Sequence, residues 1–421
     1  MKKTLIVLMM VLLSAMLIVS CNNNPSTPKG DDSGDSGDSG DSGDGGASSK
    51  IRLTYVLSDF DGNFEGSFKD SSAKTVVEDV EKVTLPAASE LTAPDGTAFD
   101  GWYTEKDANG NRTYYAGGAE FTVTKDTKLY ANWIDNNLEY KATEDDATVL
   151  VVTPKADVTA ASYKVSGWYQ GKKVTVVGKG GFKENTNLTS IKLPDTIKTI
   201  SNYAFKYCEN LESCNLPASL KTMGFSAFEG CKKLTSIVLP SGLESIGSYA
   251  FQSADLTGEV IIPASVTTIE AGCFMGNGKL TSIRFAEGSR ITEISNDMLR
   301  ECGLTSFPSL PSTVIKIGDR AFWGDTAITS VTISDSVQEI GGSAFNGCTS
   351  LTSVVIGTGI TTIGEDAFYR CSALSSVKIN KVADAIRDID GYDKAWRQND
   401  YGYGGDITKV YDVGGNEVVA Q

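Results

Sequence analysis

The chain has 421 residues, a formal net charge of −15 and no histidine. The acidic balance argues against nucleic acid as a partner. The missing histidine removes every His base, His-assisted nucleophile and His metal ligand. Paired carboxylates such as Glu365-Asp366 leave an enzyme as an alternative, but they lie in variable turn positions without a pocket signature, so we expect no catalytic site, no metal and no cofactor.

Residues 1–20 have the pattern of an export signal. Lys2 and Lys3 precede an apolar run from Leu5 to Val19, which is shorter than the roughly 20 residues that span a membrane and typical of a signal peptide. The run ends at Cys21 in the letters IVSC, which resemble the lipobox of bacterial lipoproteins. The resemblance implies lipidation of Cys21. An ordinary signal with an incidental cysteine is the alternative.

Residues 21–50 predict a flexible acidic tether. Asp, Ser and Gly recur from Asp31 to Gly46, and such a tract has too little apolar surface to offset the entropy lost on ordering. A lipid anchor followed by a tether predicts a bacterial cell-envelope protein held at a membrane. Because Asn22 rather than Asp follows the cysteine, we expect the outer membrane, with the folded part facing outside.

Residues 51–134 predict a small β domain, because strand-like stretches alternate with Gly and Asp turns. The letters VTLP at 83–86, FDGWYT at 99–104 and KLYANW at 128–133 resemble the Listeria–Bacteroides repeat, also called the internalin B-repeat. The resemblance implies a β-grasp-like module of extracellular bacterial proteins. Its prominent aromatic residues are either a sugar-stacking platform or a core, and a core is the expectation in so small a domain: Trp102, Tyr103, Tyr130 and Trp133. The polar and acidic residues 135–148 predict a linker.

A 23-residue repeat organises the rest of the chain. One position of each unit forms an aromatic column: Phe182, Phe205, Phe228, Phe251, Phe274, Leu299, Phe322, Phe345 and Phe368. Leu299 is the one residue of another type, and it follows Phe274 after 25 residues instead of 23. The two extra residues predict a loop bulge at 286–290. One unit has too little apolar surface to fold alone, so the units must stack, with their short strands paired in a parallel sheet. This predicts a repeat solenoid with an entry cap over 149–380. A C-terminal cap over 381–421 follows, with a helix at 382–397 and a hairpin at 407–419.

Two stretches of the repeat carry a family resemblance. The letters LPSGLESIGSYAF at 239–251 and SVQEIGGSAFNGCTSLTSVVI at 336–356 resemble the BspA-type, or treponemal, leucine-rich repeat. The resemblance implies an α/β-type curved rod with a parallel sheet. It also implies a place on bacterial surfaces and adhesion to host or bacterial proteins.

Seven cysteines lie within the repeat region. Five occupy the position three after the aromatic column, and two replace other apolar residues: Cys208, Cys231, Cys302, Cys348 and Cys371, then Cys214 and Cys273. Disulfides between neighbouring units are one interpretation in an exported protein. Small buried residues that donate weak hydrogen bonds are the other, and we favour this second interpretation.

The outward strand positions predict a protein-binding face: Lys192, Asn215, Val238, Ile261, Arg284, Ser309, Thr332, Val355 and Lys378. Val238 and Ile261 are neighbouring apolar residues that point to water, as in an interaction patch, and Lys192, Arg284 and Lys378 are isolated cations. The predicted function is a non-catalytic, adhesin-like surface lipoprotein that binds a protein on host cells, matrix or other bacteria. The alternative is an envelope protein that self-associates or binds glycan or peptidoglycan.

Overall fold

A computed structural model describes residues 50–59, 64–79, 81–143, 150–395 and 409–418. The predicted signal peptide, Cys21 and all of the tether before Lys50 lie outside this part of the chain. Within it, no helix has the length and apolar character needed to cross a membrane.

The amino-terminal module is built from nine strands and one 3-10 turn at Ala88–Glu90: β1 (Arg52–Val56), β2 (Ser67–Phe68), β3 (Val76–Glu78), β4 (Lys82–Thr84), β5 (Leu91–Thr92), β6 (Thr97–Tyr103), β7 (Tyr114–Tyr115), β8 (Glu120–Thr122) and β9 (Thr127–Asp135). Five strands form one sheet in the order β3-β1-β9-β6-β7, and β2–β5 and β4–β8 form two ribbons. Trp102, Tyr103 and Trp133 are buried, which confirms these three as core residues. Tyr130 is half-buried, and its hydroxyl donates to Glu105.

The predicted linker at 135–148 is wrong in its first half. β10 (Leu138–Ala142) pairs antiparallel with β11 (Leu150–Pro154) and opens the solenoid sheet. Leu138 is buried, and Tyr140 packs against the solenoid core and stacks on Tyr169 at 4.9 Å. These two residues alternate with Glu139 and Lys141, which is the pattern of a half-buried strand. The charged residues of the segment hid this alternation, so the sequence favoured a linker.

A polar joint fixes the module to the first coil. The Asp100 carboxylate accepts hydrogen bonds from the Tyr103 hydroxyl at 2.6 Å, the Asn132 amide at 3.1 Å and the Gln170 backbone N–H at 3.1 Å. Burial raises the pKa of Asp100, and these hydrogen bonds oppose the rise. Tyr103 and Asn132 belong to the module and Gln170 belongs to the first coil of the solenoid. The shared carboxylate therefore ties the module directly to the solenoid.

The solenoid consists of short strands separated by turns. After β10 and β11, the next ten in chain order are β12 (Ser162–Lys164), β13 (Trp168–Tyr169), β14 (Lys172–Val177), β15 (Ser190–Lys192), β16 (Thr199–Ile200), β17 (Ser213–Cys214), β18 (Thr222–Met223), β19 (Ser245–Ile246), β20 (Thr257–Ile262) and β21 (Thr268–Ile269). The others are β22 (Lys279–Phe285), β23 (Glu293–Ile294), β24 (Lys316–Ile317), β25 (Ser330–Ile333), β26 (Glu339–Ile340), β27 (Ser353–Ile356), β28 (Thr362–Ile363), β29 (Ser376–Ile379), β30 (Lys409–Tyr411) and β31 (Glu417–Val418).

Stacked rings form the spine, as the repeat predicts. Centroids of consecutive rings from Phe182 to Phe274 lie 5.2, 4.9, 5.5 and 5.6 Å apart. After the gap at Leu299, the rings from Phe322 to Phe368 stack at 5.2 and 5.2 Å. The repeat solenoid with parallel strands is therefore confirmed.

Turns, and not helices, return the chain between strands in the described units. Two residues before the aromatic column the backbone is left-handed, with φ of 61° at Tyr203, 52° at Ser226 and 57° at Tyr249. An α-helix cannot pass through a left-handed residue, so the helical component of the expected α/β type is missing from these coils.

Two walls of strands run along the stack, and both are interrupted. One wall, with β16, β18, β19 and β21, ends before β23, where the predicted bulge at 286–290 lies. The other, which we call the strand wall, consists of three separate sheets: β12-β15-β17, β20-β22 and β25-β27-β29-β30-β31. Its breaks lie at 234–240 and 304–311, so the parallel sheet predicted from the repeat is present on this wall as three separate pieces. At the second break, Pro308 occupies the inward column of Ile283 and Val331 and cannot donate a ladder hydrogen bond.

Six of the seven cysteines are buried and Cys214 is half-buried, and the five in the turn column confirm the interpretation as small buried hydrogen-bond donors. All seven in the described part of the chain are free thiols. The five thiols of the turn column each lie within hydrogen-bond distance of an aromatic-column carbonyl of the preceding unit, for example Cys208 to Phe182 at 2.9 Å and Cys371 to Phe345 at 3.1 Å. Burial raises the pKa of Cys208 to about 12, which keeps its thiol protonated as a donor.

A cap closes the last coil. The predicted helix is shorter than expected, α1 at Ala383–Arg387, followed by a 3-10 turn at Tyr392–Lys394. Ile386 and Ile389 are buried against the core. The predicted hairpin is confirmed over β30 and β31, and β30 extends the sheet beside β29.

Candidate interaction surface

The predicted binding residues point outward, but they do not form one row. Eight of the nine are exposed, and Val355 is half-buried. Ile261 lies beside Arg284, and Thr332 beside Val355. Lys192 belongs to the first sheet of the strand wall, Asn215 directly follows the last strand of that sheet, and Lys378 belongs to the third. Val238 and Ser309 lie in the two breaks between sheets.

The first break opens a groove of about 340 Å³, which we call the apolar groove, lined by Ile237, Val238, Leu239, Ser241, Glu259, Ile261 and Pro263. Val238 is 83% exposed and Ile261 41%. Covering a fully exposed aliphatic side chain of this size contributes about 1.5–3 kcal/mol. Val238 and the less exposed Ile261 lie on adjacent coils and together give the strand wall an apolar anchor.

The main chain beneath Val238 is open. Among the described residues, none pairs with the backbone N–H or C=O groups of residues 236–239. Unpaired amides next to an apolar anchor give a partner both buried area and directional hydrogen bonds. The groove thus combines the two features by which protein surfaces recognise partners.

Two predicted binding residues serve the solenoid itself. The Asn215 side chain accepts from Leu193 N–H at 2.9 Å and donates to Leu193 C=O at 2.8 Å, so it bridges two coils in place of a ladder bond. Arg284 forms an ion pair with Glu259 at 3.4 Å and is not the isolated cation expected. Both partners of this pair are about half exposed, so it contributes at most about 1 kcal/mol to stability.

Some lining residues are absent from the predicted face. Ile237 is half-buried in the apolar groove, and Phe307 and Pro308 line a second groove at the other break. The sequence did carry a signal for the second groove, because Pro308 is the one proline in an inward column of Ile, Val and Cys. No comparable signal marks residues 234–240, whose letters LTSIVLP match those of coils that do pair.

Stacked β-coils with repeating apolar columns and variable outward strand positions define a leucine-rich-repeat solenoid. Residues 175–305 and 292–390, together just over half of the chain, match the BspA type leucine rich repeat region in six copies. The chain belongs to this family. Residues 59–132 match the Listeria-Bacteroides repeat domain. Both matches are to repeat modules, a class that is generally non-enzymatic.

Several solved structures are similar to this chain. The T. pallidum leucine rich repeat protein TpLRR is 22% identical, covers 56% of this chain and 88% of its own, and superposes with a TM-score of 0.37. A leucine-rich repeat protein from Bacteroides ovatus is 21% identical, with coverages of 67% and 99% and a TM-score of 0.33. The pneumococcal vaccine antigen PcpA is 19% identical, with coverages of 66% and 92% and a TM-score of 0.32. No curated protein matches the chain.

Proposed function

We propose that this protein is a surface-displayed lipoprotein that binds a protein of host cells, extracellular matrix or other bacteria through its strand wall. Lipid at Cys21 anchors it in the outer membrane, and the tether holds the solenoid outside the cell. The observation that carries the binding role is the apolar groove, where Val238 is 83% exposed beside unpaired main chain. The family of BspA type repeats supports an interaction role without catalysis.

The apolar groove is the proposed centre of the interface. Interfaces draw most of their affinity from a few central side chains that become fully covered, and a polar rim excludes water around them. Val238 and Ile261 fit the centre, and the Arg284–Glu259 pair fits the rim. We therefore expect a partner that presents an apolar side chain to the groove.

Replacing Val238 by Asp and Ile261 by Thr is expected to weaken binding at least about tenfold, because it removes roughly 1.4 kcal/mol or more of apolar contact. Thr keeps the β-branched shape that a strand favours. Binding of the purified chain to immobilised basement-membrane matrix, to epithelial cells and to intact bacteria measures the effect.

The matched control is Ile315→Asp. Ile315 is 47% exposed but precedes β24, away from the strand wall. The Ile315→Asp variant should therefore leave binding unchanged. If the groove variant binds all three surfaces as well as the unaltered chain, or if Ile315→Asp weakens binding equally, the proposed face is wrong.

Replacing Cys21 by Ser is expected to release the protein from the membrane fraction, because no acyl chain can then be attached. Metabolic labelling with a fatty-acid analogue and fractionation of the cells measure this. Protease treatment of intact cells, with mass spectrometry of the released peptides, tests the orientation: peptides from 150–395 should appear. Unchanged labelling of the Cys21→Ser chain would contradict the anchor.

A further inference from the structure

The second break in the strand wall opens a groove of about 380 Å³ with a different chemistry. We call it the hydroxyl groove, and its principal lining residues are Ser306, Ser309, Ser330, Thr332, Phe307 and Leu310. Its lining includes no charged side chain, although the protein carries a net charge of −15. Its volume falls within the range of small-ligand sites.

Four hydroxyls of this groove are unengaged, whereas that of a fifth lining residue, Ser334, is hydrogen-bonded to Ser336 at 2.9 Å. Within the described part of the chain, no residue hydrogen-bonds the hydroxyls of Ser306, Ser309, Ser330 or Thr332. The main chain of residues 306–310 is unpaired in the same sense, because Pro308 interrupts the ladder. The groove therefore offers side-chain hydroxyls that donate and accept, together with open backbone groups.

The floor of the groove is apolar and fixed in place. The Phe307 ring lies 5.1 Å from the Phe322 ring and 5.9 Å from the Phe345 ring, so the aromatic column holds its orientation. Leu310 is half-buried beside it. The groove therefore offers a ligand an apolar surface at its floor and hydrogen-bonding hydroxyls at its rim.

We propose that the hydroxyl groove binds a neutral saccharide. A sugar ring places C–H groups against the floor, and its hydroxyls exchange hydrogen bonds with the rim. An ionic ligand would meet no opposite charge in the lining. An apolar peptide would strip water from several unpaired hydroxyls and amides, each at a cost of free energy. The site is separate from the apolar groove, so its failure would leave the proposed protein-binding role standing.

Titration calorimetry of the purified chain with four neutral probes tests this site: maltotetraose, cellotetraose, mannotetraose and chitotetraose, with heparin as the charged probe. At least one neutral probe should bind, and heparin should not. Thr332→Val keeps the side-chain shape and removes the hydroxyl. Together with Ser330→Ala it should weaken the bound probe about tenfold, as expected for lost hydrogen bonds in a covered site.

Ser213→Ala is the matched control, because Ser213 lies in the same outward column as Ser330 but in the first sheet. It should bind the probe like the unaltered chain, and circular dichroism should show the same fold in all variants. The proposal fails if no neutral probe binds at millimolar concentration, or if only heparin binds. It also fails if Thr332→Val with Ser330→Ala binds normally, or if Val238→Asp abolishes saccharide binding and Thr332→Val does not.

Discussion

Replacing Asp325 by Asn is expected to stabilise the protein at pH 7 by about 1–3 kcal/mol, the cost of a buried polar group without a partner. Asp325 is completely buried in the turn column that also holds Cys302 and Cys348. In the described part of the chain, neither of its carboxylate oxygens has a hydrogen-bond partner with good geometry, because the nearby Cys302 N–H donates to Leu299 C=O at 3.3 Å. Most single substitutions destabilise a protein, so a gain of this size would be diagnostic.

A coil two units earlier shows why Asn fits this column. Asn277 occupies the equivalent position, and its amide donates to Phe251 C=O at 2.8 Å and Phe274 C=O at 2.7 Å. Its oxygen accepts from Leu256 N–H at 3.0 Å. A neutral donor is thus what this position requires, and an ionised carboxylate cannot supply one.

The pH dependence follows from the direction of the pKa shift. Burial raises the pKa of Asp325 well above its ordinary value, and the nearby Cys302 amide opposes this to a smaller extent. The folded state therefore prefers the protonated acid. Stability is highest below the unfolded pKa of about 4 and is lost as pH rises toward the folded pKa, because only the unfolded chain ionises there. The advantage of the Asn variant should accordingly be large at pH 7 and shrink toward pH 4.

Urea unfolding of both chains at pH 7 and pH 4, followed by circular dichroism, measures this difference. Asp195→Asn is the control, because Asp195 is exposed and its replacement should change stability little at either pH. No gain at pH 7 would show that the Asp325 carboxylate is satisfied in the folded chain, and an equal gain at both pH values would show that the gain does not come from its ionisation.

Features that repeat along one dimension could be predicted from the sequence. The aromatic column appears as a spacing of 23 residues, and stacking in register turns that spacing into the ring contacts of the spine. The burial of Trp102 and Trp133 follows in the same way from the small size of their domain. Each of these inferences depends only on the residue type and on its position in the sequence relative to similar residues.

Features that depend on how two coils meet could not be predicted. Glu259 and Arg284 pair across 25 residues, an offset that emerges only once the two coils lie side by side. Asn215 is typical of an outward polar residue, and only the position of the Leu193 backbone shows that its amide is engaged. The outward orientation of these side chains could therefore be predicted from the sequence, but their contacts within the solenoid and the two breaks between them could not.

Replacing Phe251 by Ala is expected to cost about 3–5 kcal/mol, as for other fully buried aromatic residues. Phe251 lies between Phe228 at 5.5 Å and Phe274 at 5.6 Å, with rings nearly parallel, so the change breaks two contacts of the spine and leaves a cavity. The total stability of a folded domain is about 5–15 kcal/mol. The urea midpoint should fall accordingly.

Phe225→Ala separates the effect of the spine from the loss of any aromatic ring. Phe225 is half-buried at the surface, with Tyr203 at 5.2 Å and Tyr249 at 5.7 Å, and its removal should cost much less. Because coils of a solenoid contact only their neighbours, the damage from Phe251→Ala should spread first to the adjacent coils that carry Val238 and Ile261. Binding should then fall in parallel with unfolding in Phe251→Ala, whereas Val238→Asp should reduce binding in a chain that stays folded. Equal losses of stability in Phe251→Ala and Phe225→Ala would mean that the ring column is not what holds the coils together.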